Sequence, residues 1–222
     1  MDTFQEELNI ELSSWSSVFI PVVAEKLRKA IEKVDHLRRF VTVYPDKDDI
    51  LKPFKDTNRK DVKVVILGSG PYFNGNATGK AFACKDDISS VLHRVFNAVD
   101  KDHGNNIDKS LDQWSNQGVL LLNSLWSVEA DKPGSHEHIG WQYLTACLIK
   151  ALSSLNKNVV FMFWGREALE YKKFVMNRQN HLMLEAPHPI EAAYAILPWE
   201  CDHFEKANEF FNNCNVKPIQ WN

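Results

Sequence analysis

The chain has 222 residues, 44% of them hydrophobic and 25% charged, with a formal net charge of −3. That composition excludes collagen-like and disordered classes and fits one globular domain with a sizeable core. A dedicated duplex-DNA binder is more often basic, because phosphate neutralisation supplies much of its affinity, although a net charge does not exclude a local basic face.

Along the chain, MDTFQEELNIELSSW is acidic and has no signal-peptide core. A helical region over about 1–40 follows, in which WSSVFIPVVAEKLRKAIEKV has helical spacing and Pro21 breaks or starts a turn. Four short apolar runs predict buried parallel strands at Val62–Leu67, Val119–Leu122, Val159–Phe163 and Leu182–Glu185. Between them, SSVLHRVFNAVDKD predicts a helix capped by Ser89 or Ser90. WQYLTACLIKALSSL, REALEYKKFVMN and HFEKANEFFNN predict three more. Strands alternating with helices define an α/β three-layer domain over 1–222 with a central four-stranded parallel sheet. Ligands in such sheets bind outside the carboxyl ends of the strands. The four post-strand segments, Gly68–Phe73, Asn123, Trp164–Gly165 and His188, are therefore expected to converge on one crevice.

Each segment has two readings. Asn123 ends a buried strand, where its amide offers an acceptor and donors to a flat ligand edge, or it caps the next loop. His188, in EAPHPIEAA, donates to a developing oxyanion or is a surface His in a Pro-bounded turn. Tyr72 and Phe82 wall a planar base or belong to the core. Trp164–Gly165–Arg166 begins a helix that presents N–H groups to an anion, or is ordinary strand-to-helix geometry.

Several other motifs lead nowhere. GNATGKAF lacks the ending of a P-loop. GSHEHIGW supplies two histidines but no third metal ligand, and reads as a solvated loop. No G-x-S-x-G element is present. Cys84, Cys147, Cys201 and Cys214 show no CxxC spacing and read as reduced thiols. No metal or cofactor and no membrane span is expected. A monomer in the cytoplasm or nucleus is the expectation.

Taken in order, VVILGSGPYF, KAF, QGVLLLN, VVFMFWGREA, LEAPHPIEAA and VKPIQWN resemble the uracil-DNA glycosylase superfamily in its classical family 1. That family reads GQDPYH after a strand, then a Phe, GVLLLN, a WG loop, HPSPLS and a KPIDW-like tail. The resemblance runs from about Trp15 to Trp221. It implies that Tyr72 blocks a thymine methyl, Phe82 stacks on uracil, Asn123 reads the uracil edge and His188 stabilises the departing anion. It also marks departures. Gly70 stands where the family's Asp activates water, Ser69 where it has Gln and Phe73 where it has His. On the DNA side, Ser89 and Ser90 match its clamp, and Gly165 and Arg166 its Gly-Ser pair. Pro189 is shared. Ala192 replaces the wedge Leu behind Glu191, and Ile196 replaces an Arg ahead of Glu200 and Asp202.

A missing general base forfeits about 10²–10⁴-fold in rate, and a lost wedge about 1–2 kcal/mol of burial. The resemblance with its departures therefore implies a glycosylase homologue with impaired or absent hydrolysis. Its partners would be single-stranded or uracil-containing DNA. The alternatives are a non-catalytic uracil reader, a protein-interaction module or decoy for DNA-mimic inhibitors, and an active glycosylase in which Asp86 or Asp87 supplies the carboxylate.

Overall fold

The computed structural model describes residues 3–99, 108–195 and 198–221. In chain order these hold α1 (Thr3–Glu11), α2 (Pro21–Leu37), β1 (Val43–Tyr44), α3 (Lys52–Asp56), β2 (Val64–Gly68), α4 (Ser90–Val99), α5 (Asp112–Ser115) and β3 (Val119–Asn123). Then follow β4 (Val128–Glu129), α6 (Trp141–Leu155), β5 (Val160–Trp164), α7 (Arg166–Leu169), β6 (Leu182–Ala186), α8 (Pro189–Ala195) and α9 (His203–Asn213).

β3, β2, β5 and β6 form, in that order, a four-stranded parallel sheet. Successive side chains of a strand point to opposite faces. Val65 and Leu67 of β2 accordingly join one apolar cluster with residues of α1, α2 and α6, while Val64 and Ile66 join another with α4, α5 and α9. Both faces are covered, which is why the strands are continuous apolar runs rather than alternating ones. β2 lies between β3 and β5, so the chain reverses direction across the sheet there. The crevice at the carboxyl ends falls at that reversal.

The predicted strands are present with boundaries moved by one or two residues, and Asn123 itself is the last residue of β3, paired with Gly68. Pro21 begins α2 at the first helical position, where its missing N–H costs nothing. Val23, Ala24, Leu27, Ala30 and Val34 make its buried stripe. Ser89 is the cap of α4: its Oγ accepts from Leu92 N at 3.0 Å. The predicted extension of α4 through 100–102 lies outside the described residues. The C-terminal tail docks against the second cluster, with Trp114 Nε1 donating to Trp221 O at 2.9 Å and Ile219 and Trp221 buried.

The solvated-loop reading of GSHEHIGW is wrong for His136. That ring is 1% exposed and paired to Ser127 Oγ at 2.8 Å, whereas His138 is exposed. Burial pushes the His136 pKa down to about 4, because a charged imidazole loses its hydration there. The unfolded chain then binds a proton near pH 6.5 that the folded chain refuses. Stability through this group is complete above pH 6.5 and falls on acidification. Urea unfolding is expected to show a loss of about 2 kcal/mol from pH 7 to pH 5 through His136, and a shallower loss in His136→Gln. Equal pH slopes for the two proteins would contradict this.

No described helix is long and apolar enough to cross a membrane. Among the described residues, no group of three His, Cys, Asp or Glu is placed to hold a metal ion.

Candidate functional site

A cleft of about 1280 Å³ opens at the carboxyl ends of the strands. It collects Ser69, Gly70, Tyr72 and Phe73 from behind β2, Phe82, Ser89 and Ser90 from the next segment, Asn123 from β3, and His188 from behind β6.

The floor depends on a glycine. A Cβ built on Gly68 would stand 2.7 Å from Asn123 Oδ1 and 3.2 Å from the Phe82 ring. The bare backbone at the end of β2 is what lets the Asn123 side chain lie across it. Asn123 is 5% exposed, and its amide makes no hydrogen bond to any described residue. An amide sealed from solvent needs partners within the protein. This one lines the cleft, where a ligand edge can supply the missing donor and acceptor.

Phe82 forms the adjoining wall with its backbone at φ +66°, a left-handed conformation that is an outlier for a bulky residue. Its ring is held between Trp164, at 5.0 Å between centroids, and His188, at 5.7 Å. Its carbonyl accepts from Tyr72 Oη at 3.2 Å. Ser89 Oγ lies 2.7 Å from the same Tyr72 oxygen. A consistent proton order runs from Leu92 N–H to Ser89 Oγ, from Ser89 O–H to Tyr72 Oη, and from Tyr72 O–H to the Phe82 carbonyl. Ser89 thus caps α4 and braces Tyr72. Ser90 beside it is exposed.

His188 precedes α8, and Ile190 N–H donates to its Nδ1 at 3.1 Å. That bond fixes the lone pair on Nδ1, so the neutral ring carries its proton on Nε2. Burial lowers its pKa, opposed by the carboxylates of Glu167 and Glu191. The ring is thus a neutral donor at pH 7. Gly165 makes room behind it: at φ +93°, a Cβ there would meet His188 Cβ at 2.9 Å.

Gly70 has no side chain, and the position is nevertheless open. A Cβ there would touch only Leu125 Cβ, at 3.8 Å, with no left-handed φ to strain it. The Ser69 carbonyl in front of Gly70 is tied to Leu125 N at 3.0 Å and to Ser124 Oγ at 2.6 Å. Asp86 and Asp87 are exposed and do not line the cleft, so neither takes the place of a carboxylate there.

The DNA-side expectations fare differently. HPIEAA is not a loop or a turn. Pro189 is buried at the first position of α8, and Glu191 N bonds His188 O at 2.9 Å. Ala192 packs against the second apolar cluster and does not line the cleft. Gly165, Arg166 and Pro189 are not lining residues either; Arg166 is exposed at the start of α7. Ile196 lies outside the described residues. Asp202 pairs with Lys206 at 2.7 Å, and Glu200 is exposed. Sequence reasoning missed the clearance at Gly68 and the exposed Tyr194, which lines the cleft mouth. A glycine closing a buried strand was the available signal for the first.

Fold and cleft together define an α/β protein with a cleft at the reversal point of a parallel sheet, the usual place for a ligand site in such folds. Comparison with known proteins narrows this class. Residues 54–212 match the family described as the uracil DNA glycosylase superfamily. The chain is 35% identical over 213 residues to the uracil-DNA glycosylase of Alcelaphine herpesvirus 1, covering 90% of this chain and 84% of that one. It is 36% identical over 200 residues to that of Buchnera aphidicola, covering 85% and 87%. Among solved structures it resembles mimivirus uracil-DNA glycosylase with a TM-score of 0.77 at 22% identity, over 94% of this chain and 86% of that one. Mimivirus UNG Y322F in complex with UGI gives 0.74 at 21% identity, over 100% and 88%. The chain belongs to the uracil-DNA glycosylase superfamily.

Proposed function

We propose that this chain holds uracil from a DNA strand in the cleft and hydrolyses its glycosidic bond slowly or not at all. The observation that carries the reading is the Asn123 amide, which lines the floor of the cleft with no hydrogen-bond partner among the described residues, beside a wall that bears no carboxylate at Gly70.

Uracil presents a carbonyl and an adjacent N–H, which an amide matches with one donor and one acceptor. Phe82 and Tyr72 both line the cleft, and Ser89 braces Tyr72; in this reading Phe82 stacks on the base and Tyr72 excludes a 5-methyl group. His188 Nε2–H donates to the carbonyl oxygen on which charge grows as the base departs. These groups bind the base and stabilise the leaving anion. Nothing at Gly70 orients a water or balances the developing sugar cation, so the gain of about 10²–10⁴-fold from a positioned base is absent.

The test has two arms. Asn123→Ala is expected to weaken binding of a uracil-containing single strand by about 5- to 150-fold, the cost of leaving ligand groups unpaired. Equal affinity for uracil- and thymine-containing strands in the unmodified protein would remove the uracil reading. Single-turnover cleavage at the rate of active relatives would remove the impaired-enzyme reading.

A protein occupant is the second reading. It is favoured by the structural neighbour solved in complex with UGI. Capture of UGI by this chain, competed by a uracil strand, is the result it expects.

A further inference from the structure

Three large rings stand exposed around the mouth of the cleft: Phe73 behind β2, Tyr143 on α6 and Tyr194 on α8, at 42%, 51% and 82% exposure. Exposed large rings are ordinary when scattered. These three line one cleft, and each sits on backbone that is fixed. The Phe73 carbonyl accepts from Asp131 N at 3.0 Å. Tyr143 rides on a fifteen-residue helix. Tyr194 rides on α8, which packs against α4. The helical form of α8 decides which residue faces out. Residues two apart lie on nearly opposite sides of a helix, so turning Ala192 toward the core turns Tyr194 toward the mouth.

The charges in the lining point the same way. Glu137, Glu167 and Glu191 line the cleft and form no ion pair with described residues, against one unpaired cation, Lys150. Lys80 is held by Asp56 and Asp112, and Lys173 by Glu170. Such a lining is a poor seat for a row of phosphates and a good one for uncharged ring faces. Every nucleic-acid base has such a face, and aromatic side chains bind successive bases of a single strand through it.

We infer that the cleft takes a single strand through its bases: one in the pocket, with its neighbours stacked on Tyr194, Tyr143 and Phe73, and with few phosphate contacts. The inference rests on the proposed uracil reading for the base at the floor, and concerns how the rest of the strand is held.

Two consequences separate this from phosphate-driven binding. The first is weak salt dependence. A single strand loses affinity with a slope of about 0.7 per neutralised phosphate, so one or two contacts give less than a tenfold fall between 50 and 200 mM salt. The second is that neighbouring bases matter more than neighbouring phosphates.

The experiment is a fluorescence-anisotropy titration of the full chain with a short single strand carrying a central uracil. A second strand has base-less sugars on both sides of the uracil, which keeps the phosphates and removes the rings. The inference expects the base-less flanks to cost at least tenfold and the salt fall to stay below tenfold. It expects Tyr194→Ala to cost about 5- to 150-fold on the full strand and little on the base-less one, with Tyr194→Phe near the unmodified value. Tyr194 is 82% exposed, so its removal leaves the core untouched. Flanks without effect, a steep salt dependence, or a silent Tyr194→Ala would each overturn it, as would binding of UGI with no strand bound. If uracil and thymine strands bind equally while Tyr194→Ala weakens both, stacking stands and the uracil reading falls. If uracil is preferred while rings and flanks are irrelevant, the uracil reading stands and this one falls.

Discussion

Gly70→Asp is expected to raise single-turnover excision of uracil from a single strand by about 10²–10⁴-fold, the usual contribution of a positioned general base. The substitution is sterically free. The new Cβ meets only Leu125 Cβ, at ordinary contact distance, and the backbone is not in the left-handed region. The segment is also held in place, since the Ser69 carbonyl accepts both from Leu125 N and from Ser124 Oγ. A carboxylate added there starts from a fixed root, which a base needs in order to hold a water. Gly70 is exposed, so the charge stays hydrated and the fold is expected to lose little stability. Gly70→Asn is the control: it has nearly the same shape, cannot accept the proton, and should bring no gain. Adding Phe73→His to Gly70→Asp reverses a second departure beside the first. If Gly70→Asp binds the uracil strand normally and remains silent, the defect lies outside the chemistry of this position. The inward-facing Ala192 of α8 is then the next element to alter.

Much of this architecture is legible in the chain, for reasons that are local. A strand covered on both faces must be apolar throughout, so VVILG and VLLLN announce themselves, and a polar residue ending such a run is conspicuous. Asn123 is visible for that reason. α8 is not. Pro189 reads as punctuation, but at the first helical position it is no obstacle. The residue in front of it, His188, is not a usual cap; its ring nitrogen takes the N–H of Ile190 in the role an Asp or Ser side chain commonly fills. Once α8 forms, residues that look equivalent in a loop separate, Ala192 against the core and Tyr194 at the mouth. The left-handed backbone of Phe82 and the buried state of His136 are hidden for another reason. Both rest on side-chain contacts that no local period announces, with the distant ring of Trp164 in one case and with Ser127, itself bonded by Trp141, in the other. β1 and β4 have two residues each, too few for any period to register.

Gly68→Ala is expected to abolish uracil recognition while leaving the fold in place. Three distances carry the argument. The added methyl would lie 2.7 Å from Asn123 Oδ1, and 3.2 and 3.3 Å from two carbons of the Phe82 ring. The first is below any normal contact, and the other two are tight. β2 cannot retreat, because it is hydrogen-bonded to β3 on one side and β5 on the other, with Gly68 itself paired to Asn123. Phe82 cannot simply turn away, since Trp164 and His188 flank its ring and Tyr72 holds its carbonyl. Asn123 is the end that gives. Its amide has no partner among the described residues to lose, so the displacement costs the fold little, and overpacking of this size stays within about 1–3 kcal/mol. Recognition has no such slack, because a ligand edge needs the amide in one place and leaving its groups unpaired costs about 5- to 150-fold. Urea unfolding and uracil-strand titration on the same preparation check both halves: a modest shift in midpoint with loss of the uracil-over-thymine preference. Retention of that preference in Gly68→Ala would mean that the Asn123 amide is not what reads the base.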